Sequence, residues 1–356
     1  GYIATYLDTL HRQAQQLSPL TAGLTFDSFA IGGGTPLLLT VPQLEQLMAT
    51  AALFGVHPSH AFTSVETSPE YADRPRLNVL KKAGVSRVSI GIQSFQDEEL
   101  KAIKRRPRQN TIYQALDDIR QMDFPYFNID LIYGIKGQTV ESFLYSLEEA
   151  LRFQPNELFI YPLYVRQGTG ITEREPDDVC FRMYRAACKL LQAKGFLQTS
   201  MRRFIHHPST DAEVSCGDEV MLSCGSGGRS YLGDLHYATR YTVCQQCIAR
   251  EIDEYMATTD FTVARNGFIL SAKEQQQRFI IKNLMYYMGI DKAEYTRRFG
   301  EPLDRTPLFR QLAEQYWIEE TPERIRLTPE GLGYSDYIGQ LFITPEIRQL
   351  METYSY

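Results

Sequence analysis

The stretch SFAIGGGTPLLLT, residues 28–40, decides the fold because a short apolar run in it meets three consecutive glycines. The run Phe29–Ile31 predicts a buried strand that ends where Gly32–Gly34 begin. Glycine loses more conformational entropy on folding than any other residue, so three in a row indicate a place where the backbone must stay bare. Two explanations are open: a tight turn, or a ligand that lies against the backbone.

The composition is that of an ordinary globular protein of 356 residues, with 43% hydrophobic and 22% charged residues. The net charge of −6 and the lack of a long basic block predict no nucleic-acid partner, and no apolar run is long enough to predict a membrane partner. All six cysteines lie in the second half of the sequence. Because no secretory leader is visible, we expect reduced thiols and a cytoplasmic location.

Outward from the glycines, the first 165 residues alternate between two patterns. Short apolar, β-branched runs predict strands at 26–31, 61–66, 87–92, 126–133 and 157–164. Amphipathic stretches predict helices at 42–54, 110–122 and 140–153, with Thr139 in the N-cap position of the last one. This alternation predicts an α/β fold with a parallel sheet, either open and doubly wound or closed towards a barrel.

Polar residues follow four of these strands in succession. Gly32–Thr35, Glu66, Gln93 and Asp130 each fall at or near the C-terminal end of a predicted strand. A single acid or amide there is usually a helix cap or a satisfied core group, whereas four at consecutive strand ends favour a functional rim. Because (β/α) barrels place their chemistry at that rim, the pattern favours a barrel.

The sequence changes character after about residue 270. One long helix is predicted from Ser271 to Met288, followed by shorter helices at 292–299 and 305–315. The segment YWIEETPERIRLTPEG, residues 316–331, predicts two short strands around a turn and then a helix start, as in a winged-helix-like module.

Three parts are therefore expected along the chain. They are a barrel over residues 1–200, a Cys- and Gly-rich connecting segment over 201–268, and a small helical domain over 269–356.

The rim residues have the chemistry to bind a ligand with an amino acid end and a nucleoside end. Bare glycine backbone lets an ammonium group approach carbonyl oxygens, and the guanidinium of Arg105 can pair a carboxylate through two hydrogen bonds. Asp130 can accept from two ribose hydroxyls, and Gln93 can both donate and accept. S-adenosylmethionine (SAM) is such a ligand, although a nucleotide or a sugar phosphate would also use strand-end glycines and acids.

Four motifs and the C-terminal tail resemble a known family. IGGGTP, VETSPE, GVSRVSIGIQSFQDEELKAIKRR and NIDLIYGIKGQT, in this order, look like the radical SAM proteins of the oxygen-independent coproporphyrinogen III oxidase type. The tail from FIIKNLMYYMGID to SDYIGQLF is similar to that family's C-terminal domain. The resemblance covers nearly the whole chain. It implies a partial (β/α)6 TIM-type barrel followed by a small helical domain.

By this resemblance the rim residues receive specific roles. The cofactor-binding set is Gly33, Gly34, Thr35, Glu66, Gln93, Arg105 and Asp130. The glycines and the threonine would contact the methionyl part of SAM. Arg105, with Arg106 as its rival, would pair the carboxylate near Glu66 and Gln93, and Asp130 would hold the ribose.

The sequence departs from the family by lacking the Cys-x3-Cys-x2-Cys motif that holds a [4Fe–4S] cluster. Its opening, YIATYLDTLHRQ, looks like the helix that follows the cluster loop, so the first strand and that loop are expected to be missing from this chain. Truncation, omission of the segment and a degenerate paralogue are the alternatives. If the segment is truly absent, no radical chemistry is expected from the chain as given.

Other cysteines offer only weak candidates for metal binding. Cys216, Cys224, Cys244 and Cys247 follow the spacing C-x7-C-x19-C-x2-C, in which the last pair has metal-ligand spacing. Four structural thiols are the more common outcome of such a pattern.

By resemblance, the expected function is that of a radical SAM oxidoreductase-like enzyme, in which a 5′-deoxyadenosyl radical acts on an organic substrate such as a tetrapyrrole. The expected partners are this small-molecule substrate and an electron donor such as flavodoxin or ferredoxin. The alternatives are a radical SAM methyltransferase, a partner of an active paralogue, or a haem-trafficking protein that uses His206, His207 or His236. The His-Asn-x-x-Tyr-Trp stretch of haem-chaperone relatives is absent, and Lys136 stands where many relatives have proline. Catalytic residues, substrate and oligomeric state cannot be assigned.

Overall fold

The computed structural model describes residues 1–56, 60–106, 109–165, 170–206, 220–240, 242, 245–303 and 306–353. The chain divides into two compact units. The barrel unit comprises Gly1–Met183 and His207–Ile269, and the C-terminal unit comprises Tyr184–His206 and Leu270–Ser355. The three-part division predicted from the sequence stays a prediction.

Five parallel strands form the sheet of the barrel unit, and each pairs with the next one along the chain. They are β1 (Ser28–Ile31), β2 (Phe62–Thr67), β3 (Arg87–Gln93), β4 (Tyr126–Tyr133) and β5 (Glu157–Pro162). All five predicted strands are thereby confirmed, with ends shifted by at most two residues.

Helices precede and connect these strands, as the alternating pattern predicts. They are α1 (Tyr2–Leu17), α2 (Val41–Ala52), α3 (Arg74–Lys82), α4 (Asp97–Ala102), α5 (Gln109–Gln121) and α6 (Val140–Leu151). The predicted N-cap is confirmed, since the Thr139 side chain accepts a hydrogen bond from the backbone N–H of Ser142.

The two faces of the sheet differ in polarity. On β3, Val88, Ile90 and Ile92 are buried, whereas the alternate positions Arg87, Ser89, Gly91 and Gln93 are charged, polar or bare. The parallel register continues this polar face onto the neighbouring strands. One row contains Glu66, Ser89, Asn128 and Glu157, and the next contains Gly91, Asp130 and Phe159. Parallel sheets are usually apolar on both faces, so a polar face indicates a function.

Helix α7 (Asp177–Ala193) is followed by a short antiparallel pair, β6 (Leu197–Gln198) and β7 (Arg203–Ile205), which belongs to the C-terminal unit. The barrel unit also contains a second, antiparallel sheet. Its strands are β8 (Val220–Met221), β9 (Arg229–Leu232), β10 (Leu235–Ala238) and β11 (Gly267–Ile269), and α8 (Gln245–Ala257) lies between the last two.

The C-terminal unit packs helices around a small sheet. The elements are α9 (Ala272–Leu284), β12 (Ile290–Asp291), α10 (Lys292–Phe299), α11 (Pro307–Glu314), β13 (Ile318–Glu320), β14 (Arg324–Leu327), α12 (Pro329–Gly333), α13 (Ser335–Leu341) and α14 (Pro345–Thr353). The β13–β14 hairpin and the helix after it confirm the predicted pattern of residues 316–331.

The long helix predicted from Ser271 to Met288 is too long. Helix α9 ends at Leu284 because the chain then turns, with Gly289 at a φ of 71° and the Tyr287 N–H bonded to the Thr199 carbonyl. No described helix is long and apolar enough to cross a membrane.

Candidate cofactor-binding site

The three glycines after β1 stay bare for two different reasons. Gly33 and Gly34 adopt φ values of 90° and 120°, which only glycine adopts without strain. A Cβ atom at either position would meet no atom of the described residues within 4 Å, so their backbone borders open space there. A Cβ atom on Gly32 would instead lie 2.9 Å from the Glu66 carboxylate. The turn therefore requires two glycines, and the close approach of Glu66 requires the third.

Glu66 is anchored to this glycine turn. Its carboxylate accepts a hydrogen bond from the backbone N–H of Gly33. Although the side chain is exposed, the surrounding protein removes much of its water. This desolvation raises the pKa of Glu66, while the Gly33 N–H and the charge of Arg87 act in the opposite direction.

Gln93 ends β3 in a conformation that is rare for a residue with a side chain. Its φ is 72°, and the register between β3 and β4 shifts between Gly91 and Gln93. The Gln93 amide nitrogen folds back over the strand, 2.6 Å from where a Cβ atom of Gly91 would be. Gly91 thus makes room for the Gln93 side chain.

Asp130 lies on the polar face three residues before the end of β4, level with Gly91. Its Oδ1 accepts a hydrogen bond of 2.7 Å from the Asn128 amide. Burial raises the pKa of Asp130 to about 7, with the Glu66 charge adding to the rise and the Asn128 hydrogen bond opposing it. Asp130 is therefore close to half-protonated at neutral pH.

A buried ion pair on the same face was not predicted from the sequence. Arg87 Nη1 donates to Glu157 Oε2 at 3.0 Å, and Arg87 Nε donates to Ser64 Oγ at 2.9 Å. The side chains of the pair are only 12% and 3% exposed. The available signal was a charged residue, Arg87 or Glu157, at the start of each of two largely apolar runs. The pair places a cation near both Glu66 and Asp130.

Arg105 and Arg106 follow α4 and are both exposed. The Arg105 backbone N–H bonds to the Leu100 carbonyl at 2.8 Å, which fixes the chain where this arginine begins. Among the described residues neither guanidinium forms an ion pair. Both cations are therefore available to an anionic ligand, and the geometry does not choose between them.

Two aromatic side chains on β5 were also missed. The rings of Phe159 and Tyr161 lie 5.8 Å apart and nearly parallel, at 11°. Phe159 is level with Asp130, so the pair extends the polar face with a flat apolar surface. Aromatic residues at alternate positions after a strand that contains Asp130 were the available signal.

Four cysteines, three histidines and Lys136 are the remaining sequence candidates. Cys216, Cys244 and His207 are outside the described residues. Burial raises the pKa of the Cys224 thiol to about 12, and Cys247 is half-buried and forms no disulfide within the described residues.

The two described histidines among these candidates are packed against aromatic rings. His206 packs against Phe196, and His236 packs between Tyr231 and Phe268. Lys136 is exposed, with its Nζ 4.0 Å from a Glu173 carboxylate oxygen.

The chain matches known proteins over most of its length. Residues 12–150 match the family model of the radical SAM superfamily, and residues 270–333 match that of the HemN C-terminal domain. Oxygen-independent coproporphyrinogen III oxidase of Salmonella typhimurium is 31% identical over 92% of this chain and 76% of its own. Heme chaperone HemW of Bacillus subtilis is 26% identical over 94% and 92%, respectively.

The fold is confirmed by a solved structure. Coproporphyrinogen III oxidase (HemN) of Escherichia coli matches with a TM-score of 0.81 at 23% identity, over 96% of this chain and 83% of its own. The predicted α/β class, a partial TIM-type barrel with a helical C-terminal domain, is therefore correct.

The radical SAM match implies SAM and a [4Fe–4S] cluster as cofactors. The polar face fits SAM, because it joins open glycine backbone to two carboxylates, Glu66 and Asp130, that form no salt bridge within the described residues. The cluster finds no such fit there, since no three His, Cys, Asp or Glu side chains in the described part of the chain are grouped as metal ligands.

The motifs, the fold and the identity to the Salmonella enzyme lead to one family. The chain belongs to the radical SAM proteins of the oxygen-independent coproporphyrinogen III oxidase (HemN-like) type.

Proposed function

We propose that the polar face binds SAM for a radical reaction on a small organic molecule, and a tetrapyrrole is the first substrate to test. The observation that carries this proposal is the pair of carboxylates beside open glycine backbone. Glu66 and Asp130 lack a salt-bridge partner within the described residues, so their oxygens are available to ligand hydroxyls and to a cationic ligand.

The methionyl end of SAM would lie along the glycine turn. Gly33 and Gly34 border open space, which lets an ammonium group reach backbone oxygens, and Thr35 follows them at the edge of the turn. Glu66 adds negative charge beside that ammonium group. Arg105 would pair the carboxylate of SAM through two parallel hydrogen bonds.

The nucleoside end would lie along β4 and β5. Asp130 can accept from the two ribose hydroxyls, and its ionised form also favours the positive charge of the ligand. Phe159 and Tyr161 offer a flat surface on which adenine can stack. Gln93 lies between the two ends and can donate or accept there.

A reduced [4Fe–4S] cluster beside bound SAM would supply the hydrogen-abstraction chemistry of this superfamily, and the described residues of this chain do not offer its ligands. This chain's own residues bind and orient SAM. A flavodoxin or ferredoxin is the electron donor we propose, and the cytoplasm, where thiols stay reduced, is the proposed location.

Titration calorimetry with SAM tests the proposal and the choice between the two arginines. Arg105→Ala is expected to weaken SAM binding at least tenfold, and its neighbour Arg106→Ala serves as the matched control. Decarboxylated SAM should bind the wild-type chain as weakly as SAM binds Arg105→Ala, with no further loss in that variant. No saturable SAM binding to the wild-type chain would refute the proposed site.

A second candidate, haem binding, rests on the similarity to heme chaperone HemW. His236 is the described histidine to test because it is buried between two aromatic rings. A Soret band that forms on haem titration and is lost in His236→Ala would support this function. An unchanged band in that variant would exclude His236 as the ligand.

A further inference from the structure

Glu99 is a buried carboxylate held by neutral donors. It lies in α4, is 5% exposed, and accepts three hydrogen bonds from side chains. Ser94 Oγ and Gln138 Nε2 donate to its Oε2 at 2.6 and 2.9 Å, and Ser142 Oγ donates to its Oε1 at 2.5 Å. Within the described residues no cation pairs with it.

These three donors come from three segments at the C-terminal edge of the sheet. Ser94 directly follows Gln93 at the end of β3. Gln138 belongs to the loop after β4, where its Oε1 accepts from the Gly134 backbone N–H at 2.8 Å. Ser142 lies in the first turn of α6 and accepts from the Thr139 N–H at 3.0 Å. One carboxylate therefore ties the end of β3 to the loop after β4.

The same carboxylate reaches the candidate cofactor residues on both sides. Through Ser94 it fixes the residue next to Gln93. Through its own helix it fixes Arg105, whose N–H bonds to the carbonyl of Leu100, the residue after Glu99. Gln109, the first residue of α5, donates to the Phe95 carbonyl at 3.0 Å and thereby joins α5 to the chain before α4.

A buried charge without a cation is a costly way to stabilise a fold, because neutral donors only partly replace the lost hydration. A carboxylate with three donors does define geometry, since each hydrogen bond is short and directional. We propose that Glu99 is a positioning residue, which holds Gln93 and Arg105 in the arrangement that binds the cofactor. The proposal rests on the proposed function for its ligand but not for its structural effect.

Hydrogen exchange without SAM tests the structural effect by itself. Glu99→Gln removes the charge and replaces one of the two acceptor oxygens with an NH2 group, which cannot accept from the donor that faces it. Glu149→Gln is the matched control, because Glu149 is also buried and also bonded by side chains, those of Tyr113 and Arg152. We expect peptides over 94–106 and 133–142 to exchange at least tenfold faster in Glu99→Gln, with both unchanged in the control. Equal exchange in Glu99→Gln and the wild type would overturn the proposal.

Calorimetry with SAM then tests the effect on binding. Glu99→Gln is expected to weaken SAM at least fivefold, while Glu149→Gln stays within twofold of the wild type. Equal affinities in a folded Glu99→Gln variant, or equal losses in both variants, would overturn the positioning role. If Glu99→Gln does not fold, Ser94→Ala removes one of the three donors. This variant must then show the same faster hydrogen exchange and weaker SAM binding, both to a smaller extent. A wild-type chain that fails to bind SAM refutes the proposed function and leaves the exchange result to decide on Glu99.

Discussion

Replacing Asp130 by asparagine is expected to stabilise the protein above neutral pH while it weakens SAM binding. The pKa of Asp130 is about 7 in the folded chain, against a usual value of 3.8. The folded state therefore holds this proton more tightly than the unfolded chain, and stability falls as pH rises from 3.8 to 7. At about 1.4 kcal/mol for each pKa unit, the full cost of ionised Asp130 is about 4 kcal/mol.

Urea unfolding at pH 5 and pH 8 measures this cost. Ionisation of Asp130 should lower the unfolding free energy of the wild type by about 2–3 kcal/mol between pH 5 and pH 8, and Asp130→Asn should not show this loss. The amide oxygen introduced by this substitution would still accept from Asn128, so the packing is retained. Asp118→Asn is the control, because Asp118 is buried but paired with Arg74, and its replacement should destabilise the protein. A wild type and an Asp130→Asn variant with the same pH dependence would refute the reasoning.

Three other changes test the site from different sides. Gly32→Ala should weaken SAM binding at least tenfold at little cost in stability, because its Cβ would lie 2.9 Å from the movable Glu66 carboxylate. Adding Glu66→Asp to this variant should restore part of the affinity, whereas an unchanged Kd for Gly32→Ala would contradict this reasoning. Glu157→Ala should lower the unfolding free energy by roughly 3–5 kcal/mol in urea because it leaves the Arg87 charge buried and unpaired, and a loss below about 1 kcal/mol would argue against a dry ion pair. If adenine stacks on Phe159, calorimetry should show that Phe159→Ala reduces the free energy of SAM binding by about 1–3 kcal/mol. A Phe159→Leu variant that binds SAM as tightly as the wild type would exclude stacking.

Local sequence patterns were enough to predict the strands of the barrel unit. Each of the five runs is short, rich in β-branched and aromatic residues and bounded by helical or turn residues, so its composition and length identify it without knowledge of its neighbours. The helix from Ser271 was overextended because apolar residues continue past Leu284. What ends it is a contact of Tyr287 with Thr199, which no local pattern contains.

The candidate site was predicted only where a single residue type implied its role. The glycines, Glu66 and Asp130 could be selected because each lies at or near the end of a predicted strand. The sequence did not show that Gly32 and Gly33 are bare for different reasons. The Arg87–Glu157 pair joins residues 70 positions apart. This ion pair forms because the registers of β3, β4 and β5 bring the two residues together, and the β4–β5 register likewise places Phe159 beside Asp130. Such contacts become visible only when the strands are placed side by side.

The division of the sheet into an apolar and a polar face separates two tasks along each strand. Val88 and Ile90 are buried in the apolar core, while Ser89 and Gly91 between them lie on the face that we propose binds the cofactor. Substitutions on the polar face therefore leave this apolar packing in place, provided that the buried Arg87–Glu157 ion pair is kept. A library confined to the other polar-face positions is a direct route to new ligand preferences on this scaffold. Gly91 must be left out of it, because the Gln93 amide occupies the space that a side chain there would need.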